Sequence, residues 1–159
     1  MKDLTVKTVF RYILIILIIA TLLFIFSNSL KSQEESSEDS AAVGGFLESI
    51  IPPDTELGEF VQDNVRKIAH FTEFAILGGL VALYVVLYTK RLKVFLPLSL
   101  GFGFLMGFVD ESLQYFSSRG PSIMDVWIDF FGFLSVSASV YLVTLIVALI
   151  IKKRRGEDG

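Results

Sequence analysis

VFRYILIILIIATLLFIF, residues 9–26, decides the fold, because Arg11 is the only charged residue in this long apolar run. A helix rises about 1.5 Å per residue and the hydrocarbon core of a membrane is about 30 Å thick, so about 20 residues cross it. Three more apolar runs follow, at 68–88, 94–109 and 126–151. The third is too short by itself, so we expect its helix to continue through Asp110, Glu111 and Gln114. The predicted spans are therefore about 9–26, 68–88, 94–114 and 126–151.

The composition agrees with a membrane protein and excludes several other classes. Apolar residues make up 53% of the 159 residues and mean hydropathy is +0.64, more than a soluble domain of this size usually carries. With no cysteine, the chain has no disulfide, thiolate metal site or cysteine nucleophile. The net charge of −3 argues against nucleic acid as a partner. We predict an all-α polytopic membrane protein, one domain over residues 1–159, with a bundle of four transmembrane helices and an outer amphipathic helical segment.

The distribution of charge predicts the orientation. Basic residues lie before the first span, between the second and third, and after the fourth: Lys2, Lys7, Arg11, Lys90, Arg91, Lys93, Lys152, Lys153, Arg154 and Arg155. The loop 27–67 instead carries nine acidic residues against three basic ones. By the positive-inside rule, we expect both termini to be cytoplasmic and this loop to lie outside. A cleaved signal peptide is the alternative for the run 9–26, but the run is long for one and no A-x-A site follows.

The outer loop contains signals for its own structure. Residues 27–42 are rich in serine and acidic residues, a composition that predicts a mobile segment. Apolar residues then recur at helical spacing over 43–51, which predicts a short amphipathic stretch ending at Pro52 and Pro53. Asp54 or Thr55 can cap a following helix. We therefore expect the second membrane helix to begin well outside the membrane.

Polar residues gather near the outer ends of three spans. Charged groups in lipid cost a few kcal/mol each on the mildest scale, so they are expected to face the bundle interior. The first group, in residues 66–73, has i, i+4, i+7 spacing, which places it on one helix face. The second group, in residues 110–114, follows a Gly-x-x-x-Gly stripe that lets helices approach closely. The third opens the fourth span, where S-x-x-D predicts a capping box. These groups are Arg66, His70 and Glu73; Asp110, Glu111 and Gln114; and Arg119, Ser122, Asp125 and Asp129.

Each group also has a simpler interpretation. Arg66 and Lys67 can be boundary charges, Ser122 can be only a helix cap, and Asp110 and Glu111 can mark the end of a span. Convergence favours a site, because structural need alone rarely places so many costly groups near one membrane face.

Several motifs follow one another along the chain: Lys67-x-x-His70-Phe71, Asp110-Glu111-x-x-Gln114-x-Phe116, Arg119, Ser122, Asp125 and Gly132. In their order and spacing the sequence resembles the VanZ-like family of bacterial membrane proteins, named for an accessory protein of teicoplanin resistance. The resemblance covers nearly the whole chain. Two residues depart from the family pattern: Asp129 stands where asparagine is more common, and Phe74 where tyrosine is common. The resemblance implies a role in envelope or lipid chemistry at the bacterial cell membrane, with teicoplanin-type glycopeptide resistance in some members, and no settled reaction.

Three hypotheses follow for these residues. In an enzyme, His70 would be the general acid or base beside Glu73, with Asp110 and Glu111 sharing proton transfer. Arg119 and Lys67 would then suit a phosphate or carboxylate of the substrate. The full set of candidate ligand-binding residues is Arg66, Lys67, Gln114, Arg119, Ser122, Asp125 and Asp129.

A variant of the enzyme hypothesis uses His70 and the acids to hold a divalent cation; the spacing supports it only weakly, so we assign no metal ligands and identify no cofactor. The second hypothesis is a binding or transport protein, and the third is a polar network that only locks the bundle. The expected partners are membrane lipids, with a lipid-linked envelope precursor or a glycopeptide-related ligand as candidates. An oligomer is compatible with the binding and transport hypothesis, because four short spans leave little room for a central pathway in a monomer.

Overall fold

The computed structural model describes residues 2–89, 92–117 and 119–155, and every regular element within them is a helix. The order is α1 (Lys2–Ser29), α2 (Gln33–Glu48), α3 (Glu56–Tyr88), α4 (Leu92–Phe116) and α5 (Ile123–Arg154). The all-α fold class is confirmed. Lys90 and Arg91, on which part of the predicted orientation depends, lie outside the described residues.

Four of the helices are long and apolar enough to cross a membrane: Val6–Ser29, Glu56–Tyr88, Leu96–Phe116 and Ile123–Arg154. The chain is therefore a multi-pass membrane protein. Helix α3 has 33 residues, or about 50 Å at 1.5 Å per residue, so it extends beyond a hydrocarbon core of about 30 Å. Helix α4 continues to Phe116, as its shortage of apolar residues predicted.

Glycines allow the helices to approach closely. A Cβ on Gly78 of α3 would overlap the carbonyl oxygen of Phe133 on α5, and a Cβ on Gly132 of α5 would overlap that of Phe71. On α4, a Cβ at Gly103 would lie 2.5 Å from the Phe133 ring. Phe133 is thus the residue around which α3, α4 and α5 close. It belongs to a fully buried apolar cluster with Ile25, Phe74 and Leu77.

The prediction of a mobile segment over 27–42 is wrong, because two helices cover most of it. Helix α1 runs to Ser29, and α2 begins at Gln33 behind a capping box. The Ser32 hydroxyl accepts from the Glu35 amide at 3.3 Å, and the Glu35 carboxylate accepts from the Ser32 amide at 2.8 Å. The second of these hydrogen bonds also lowers the pKa of Glu35. The signal S-x-x-E was present in the sequence and outweighs the polar composition.

We predict that Ser32→Ala weakens the start of α2 by about 1 kcal/mol, the usual value of a lost N-cap. Amide hydrogen exchange in the first turn of α2 should accelerate, because the Glu35 amide loses its acceptor. Ser37→Ala is the matched control, since the Ser37 hydroxyl bonds only to the carbonyl of Gln33 within the helix. Equal acceleration in both variants would contradict the role of the cap.

The connection from α2 to α3 is tight and follows the predicted signals. Helix α2 ends before the two prolines, and Thr55 is the N-cap of α3, with its hydroxyl accepting from the Gly58 amide at 3.1 Å. A Cβ on Gly58 would overlap the carbonyl oxygen of Pro52. Helix α2 then lies against α3, where Gly44 approaches Val65. The end of the bundle on which α2 lies is called the α2 end below.

Candidate functional site

Polar side chains from four helices and the α4–α5 loop meet at the α2 end of the bundle. They come from the last turn of α1, the first half of α3, the last turns of α4 and the first turns of α5. This polar cluster comprises Asn28, Ser29, Arg66, His70, Glu73, Asp110, Glu111, Gln114, Arg119 and Asp129. Asp110, Glu111, Gln114 and Asp129 are each at most 3% exposed, although burial of charge is costly.

Asp110 joins three helices through its carboxylate. The Ser29 hydroxyl of α1 donates to Oδ1 at 2.5 Å, and the Gln114 amide donates to Oδ2 at 3.3 Å. His70 of α3 places Nδ1 3.5 Å from the same Oδ2. Asp110 is fully buried, so these neighbours take the place of water around it.

Glu111 connects α4 to the start of α5. Its carboxylate accepts from the Gln114 amide at 2.5 Å and from the backbone amide of Ser122 at 2.8 Å. Ser122 is the N-cap of α5, and its hydroxyl accepts from the Asp125 amide at 3.4 Å. In a capping box, the side chain three residues after the N-cap accepts from the N-cap amide. Here Glu111 accepts from that amide, in the role expected of Asp125. Arg66 completes the chain by donating to Gln114 Oε1 at 2.6 Å.

His70 lies between two buried carboxylates. Its Nδ1 is 3.5 Å from Asp110 Oδ2 and 3.5 Å from Asp129 Oδ1. Asp129 is fully buried, and neither of its oxygens accepts a hydrogen bond; His70 Nδ1 has none either. One ligand atom from each of these three residues lies within 4.8 Å of the other two. Within the described residues this is the one group of histidine and carboxylates that could hold a metal ion.

Glu73 and Arg119 are joined through α1. Asn28 donates from its side chain to Glu73 Oε1 at 3.0 Å, and its carbonyl accepts from Arg119 Nη1 at 3.2 Å. Burial lowers the pKa of the Arg119 guanidinium, and the positive charge of Arg66 lowers it further. Arg119 Nε has no hydrogen-bond partner. The Arg119 guanidinium is thus held in place by its neighbours, and its Nε–H remains able to donate a hydrogen bond.

Two openings reach the polar cluster from different sides. The polar pocket has a volume of about 380 Å³, and its lining includes Asn28, Lys31, Asp39, Arg66, His70, Glu73 and Arg119. The apolar groove has a volume of about 700 Å³ and is bounded by Phe104, Phe108, Glu111, Tyr115, Ser122 and Trp127. The hydrogen-bonded series Arg66–Gln114–Glu111 runs between the two openings.

The comparison with known families agrees with this architecture. A sequence model of the VanZ/LLP1 family matches residues 12–151, which include all five helices in whole or in large part. The chain belongs to the VanZ/LLP1 family. The resemblance predicted from the sequence is confirmed. No curated protein and no solved structure gives a significant match to the chain.

The two residues at which the resemblance implies a departure from the family, Asp129 and Phe74, have different surroundings in this VanZ/LLP1 protein. Asp129 lies inside the polar cluster, where it adds a fully buried carboxylate beside His70. Phe74 is fully buried in the apolar cluster with Ile25, Leu77 and Phe133. The Phe74 ring is thus part of the apolar packing, whereas Asp129 contributes a carboxyl group to the polar cluster.

The structure assembles most of the predicted site residues and leaves two apart. Lys67 is exposed and donates to Asn64 at 3.3 Å, away from the cluster. Asp125 is half-buried, and its side chain has no hydrogen bond or ion pair within the described residues. Sequence reasoning missed Asn28 and Ser29, which contact Glu73 and Asp110. Their signal was the polar triplet Ser27-Asn28-Ser29 at the end of an otherwise apolar span.

Proposed function

We propose that this VanZ/LLP1 protein binds the phosphate-bearing head group of a lipid or lipid-linked envelope precursor at the outer face of the bacterial cell membrane. One observation carries the proposal: the guanidinium groups of Arg66 and Arg119 line the same pocket, together with Lys31, whose ammonium is paired with Asp39 at 2.6 Å. Guanidinium groups match phosphate oxygens in geometry and charge. Arg119 Nε lacks a partner within the protein, and a phosphate oxygen would supply one.

The outward orientation is supported by the position of the basic termini. Helix α5 ends with Lys152, Lys153 and Arg154 at the end of the bundle opposite the polar cluster. The start of α1 lies at that same end, since Arg11 donates to the Tyr84 hydroxyl at 3.2 Å near the end of α3. By the positive-inside rule, this end is cytoplasmic and the polar pocket faces outward.

A lipid is a better fit than a free phosphate compound because of the apolar groove. Its walls are aromatic, with Phe104 packed edge-to-face on Trp127 at 5.7 Å between ring centroids. Glu111 and Ser122 form its polar boundary. An acyl or prenyl chain would remain in this groove or in the surrounding bilayer while its head group occupies the polar side.

The chemistry available at the pocket is proton transfer by His70. Its ring is reached from the polar pocket, with Glu73 on the same wall, an arrangement suited to a general acid or base. An enzyme acting on an envelope lipid and a protein that only binds or moves it use the same contacts. Family membership supports extending either activity to teicoplanin-type glycopeptide resistance.

We predict that Arg66→Gln or Arg119→Gln weakens head-group binding about 10- to 100-fold, because a charge-assisted hydrogen bond contributes about 1.5–3 kcal/mol. The measurement is titration of the purified protein in detergent with short-chain phosphatidic acid, against phosphatidylcholine as the zwitterionic comparison. Lys67→Gln is the control, since Lys67 is exposed outside the pocket. An effect of Lys67→Gln as large as that of the arginine variants would argue for diffuse charge attraction and against this site.

Enzyme and binder are separated by following the lipid after binding. Purified protein is incubated with labelled envelope lipids, and the lipids are analysed by mass spectrometry. A product that disappears in His70→Ala identifies an enzyme. Unchanged lipid together with arginine-dependent binding identifies a binding or transport protein.

A further inference from the structure

Asp129 is in a position that the rest of the protein does not explain. It is fully buried on α5, and both of its carboxylate oxygens lack a hydrogen-bond partner. A buried carboxylate without partners is strongly destabilising, and nearly all buried polar groups in proteins are satisfied. The side chain is directed at His70, whose Nδ1 also lacks a hydrogen bond. One ligand placed between them would therefore satisfy both Asp129 and His70 Nδ1.

The distances fit a common ion better than direct hydrogen bonds. His70 Nδ1 is 3.5 Å from Asp110 Oδ2 and 3.5 Å from Asp129 Oδ1, beyond the usual N–H···O range of about 2.7–3.2 Å. Two ligand atoms at about 2.1 Å from one tetrahedral metal ion lie about 3.4 Å apart. Both distances from His70 Nδ1 thus match the spacing of two ligands on one ion, and ligand atoms of Asp110 and Asp129 lie within 4.8 Å of each other.

The buried charges leave room for a divalent cation. Among the described residues, Asp110, Glu111 and Asp129 are the buried carboxylates, and Arg119 is the buried guanidinium. One cation against three anions leaves two negative charges without a buried counterpart. A divalent ion between His70, Asp110 and Asp129 would balance them where the surroundings screen charge poorly.

We propose that His70 Nδ1, Asp110 and Asp129 bind one divalent transition-metal ion of the Zn²⁺ or Mn²⁺ type. One imidazole and two carboxylates suit these ions, and the set contains no thiolate. Ser29 and Gln114 hold Asp110 in place by hydrogen bonds, as outer-shell residues commonly do for metal ligands. The proposal stands on these residues alone and goes beyond the proposed lipid function.

The site would have an open coordination position. Three protein ligands leave at least one place for water or a substrate oxygen, the arrangement of catalytic metal sites. His70 lines the polar pocket, so that open position is reached from the side where the head group is proposed to bind. A phosphate oxygen there would meet the ion on one side and the guanidinium groups on the other.

The experiment is a Co²⁺ titration of the purified full-length protein in detergent, stripped with chelator and free of added lipid. Co²⁺ reports nitrogen and oxygen coordination by its visible absorption, and Zn²⁺ and Mn²⁺ are then tested as competitors. We expect one ion per chain, displaced by Zn²⁺. Asp129→Asn and His70→Ala should each weaken binding at least about 100-fold, more than the loss of an outer-shell group.

Asp125→Asn is the matched control, because Asp125 is on the same helix one turn from Asp129 and outside the group of three. It should bind Co²⁺ as the wild-type protein does. Size-exclusion profiles verify that Asp129→Asn, which keeps the side-chain volume, is folded. The proposal is overturned if wild-type protein binds no more Co²⁺ than Asp129→Asn and His70→Ala, or if Asp125→Asn lowers binding equally. Because lipid is omitted, failure here leaves the lipid proposal to its own test.

Discussion

Gly78→Ala should destabilise the bundle by about 3 kcal/mol, at the upper end of what overpacking usually costs. The added Cβ would overlap the carbonyl oxygen of Phe133, and a backbone atom cannot rotate away as a side chain can. Helices α3 and α5 would have to separate along their main contact. Thermal unfolding of the purified protein in detergent, followed by circular dichroism, should show a clear fall in the midpoint.

Gly101→Ala provides the control for Gly78→Ala. A Cβ at Gly101 meets no atom within 4 Å, so this variant loses no packing. It should gain up to about 1 kcal/mol, the difference between alanine and glycine in a helix. Similar unfolding midpoints for Gly78→Ala and Gly101→Ala would contradict the close approach of α3 and α5 at Gly78.

His70→Ala and Asp110→Asn should abolish envelope function while leaving the fold intact. Teicoplanin tolerance, which the proposed function predicts for a strain that expresses this protein, should fall to the level of the empty vector with either variant. Each variant should cost about 1–3 kcal/mol of stability, because it removes buried polar contacts but leaves the apolar cluster around Phe133 in place. Function and stability are measured on the same variants, so the two readouts can be compared directly.

The reference for a structural defect is Gly103→Leu, whose Cβ would press on the Phe133 ring at 2.5 Å. If His70→Ala and Asp110→Asn lower the unfolding midpoint as much as Gly103→Leu, the polar cluster is a structural network and the proposed site is wrong. Loss of tolerance with a much smaller fall in the midpoint would instead exclude the purely structural hypothesis. The three variants thus distinguish a functional site from a polar network that only stabilises the bundle.

Much of the architecture followed from the length and charge of apolar runs. The continuation of α4 through Asp110, Glu111 and Gln114 was predicted because 16 apolar-run residues at 94–109 cannot cross about 30 Å. The inward direction of these residues followed from the cost of charge in lipid. Both arguments are local, since they need only one helix and the thickness of the membrane.

The parts that could not be predicted depend on contacts between distant segments. Ser29 and Asp110 are 81 residues apart in sequence, and no periodicity within one helix relates them. Lys67 and Arg66 are adjacent and equally cationic, yet only Arg66 reaches Gln114, because neighbouring helix positions point about 100° apart. The first part of helix α2 was missed for another reason, because composition was weighted above the Ser32 capping signal; its last residues fall within the predicted amphipathic stretch 43–51.

The attachment of α1 has a thermodynamic consequence for any ligand that displaces it from the polar cluster. Near the α2 end, α1 is held by hydrogen bonds from Asn28 to Glu73 and from Ser29 to Asp110. A ligand that takes over either carboxylate competes with α1 for it, so occupancy and the docking of α1 become coupled equilibria. Such coupling is reciprocal. If the ligand weakens the docking of α1 by a given factor, then docking of α1 weakens the binding of the ligand by the same factor.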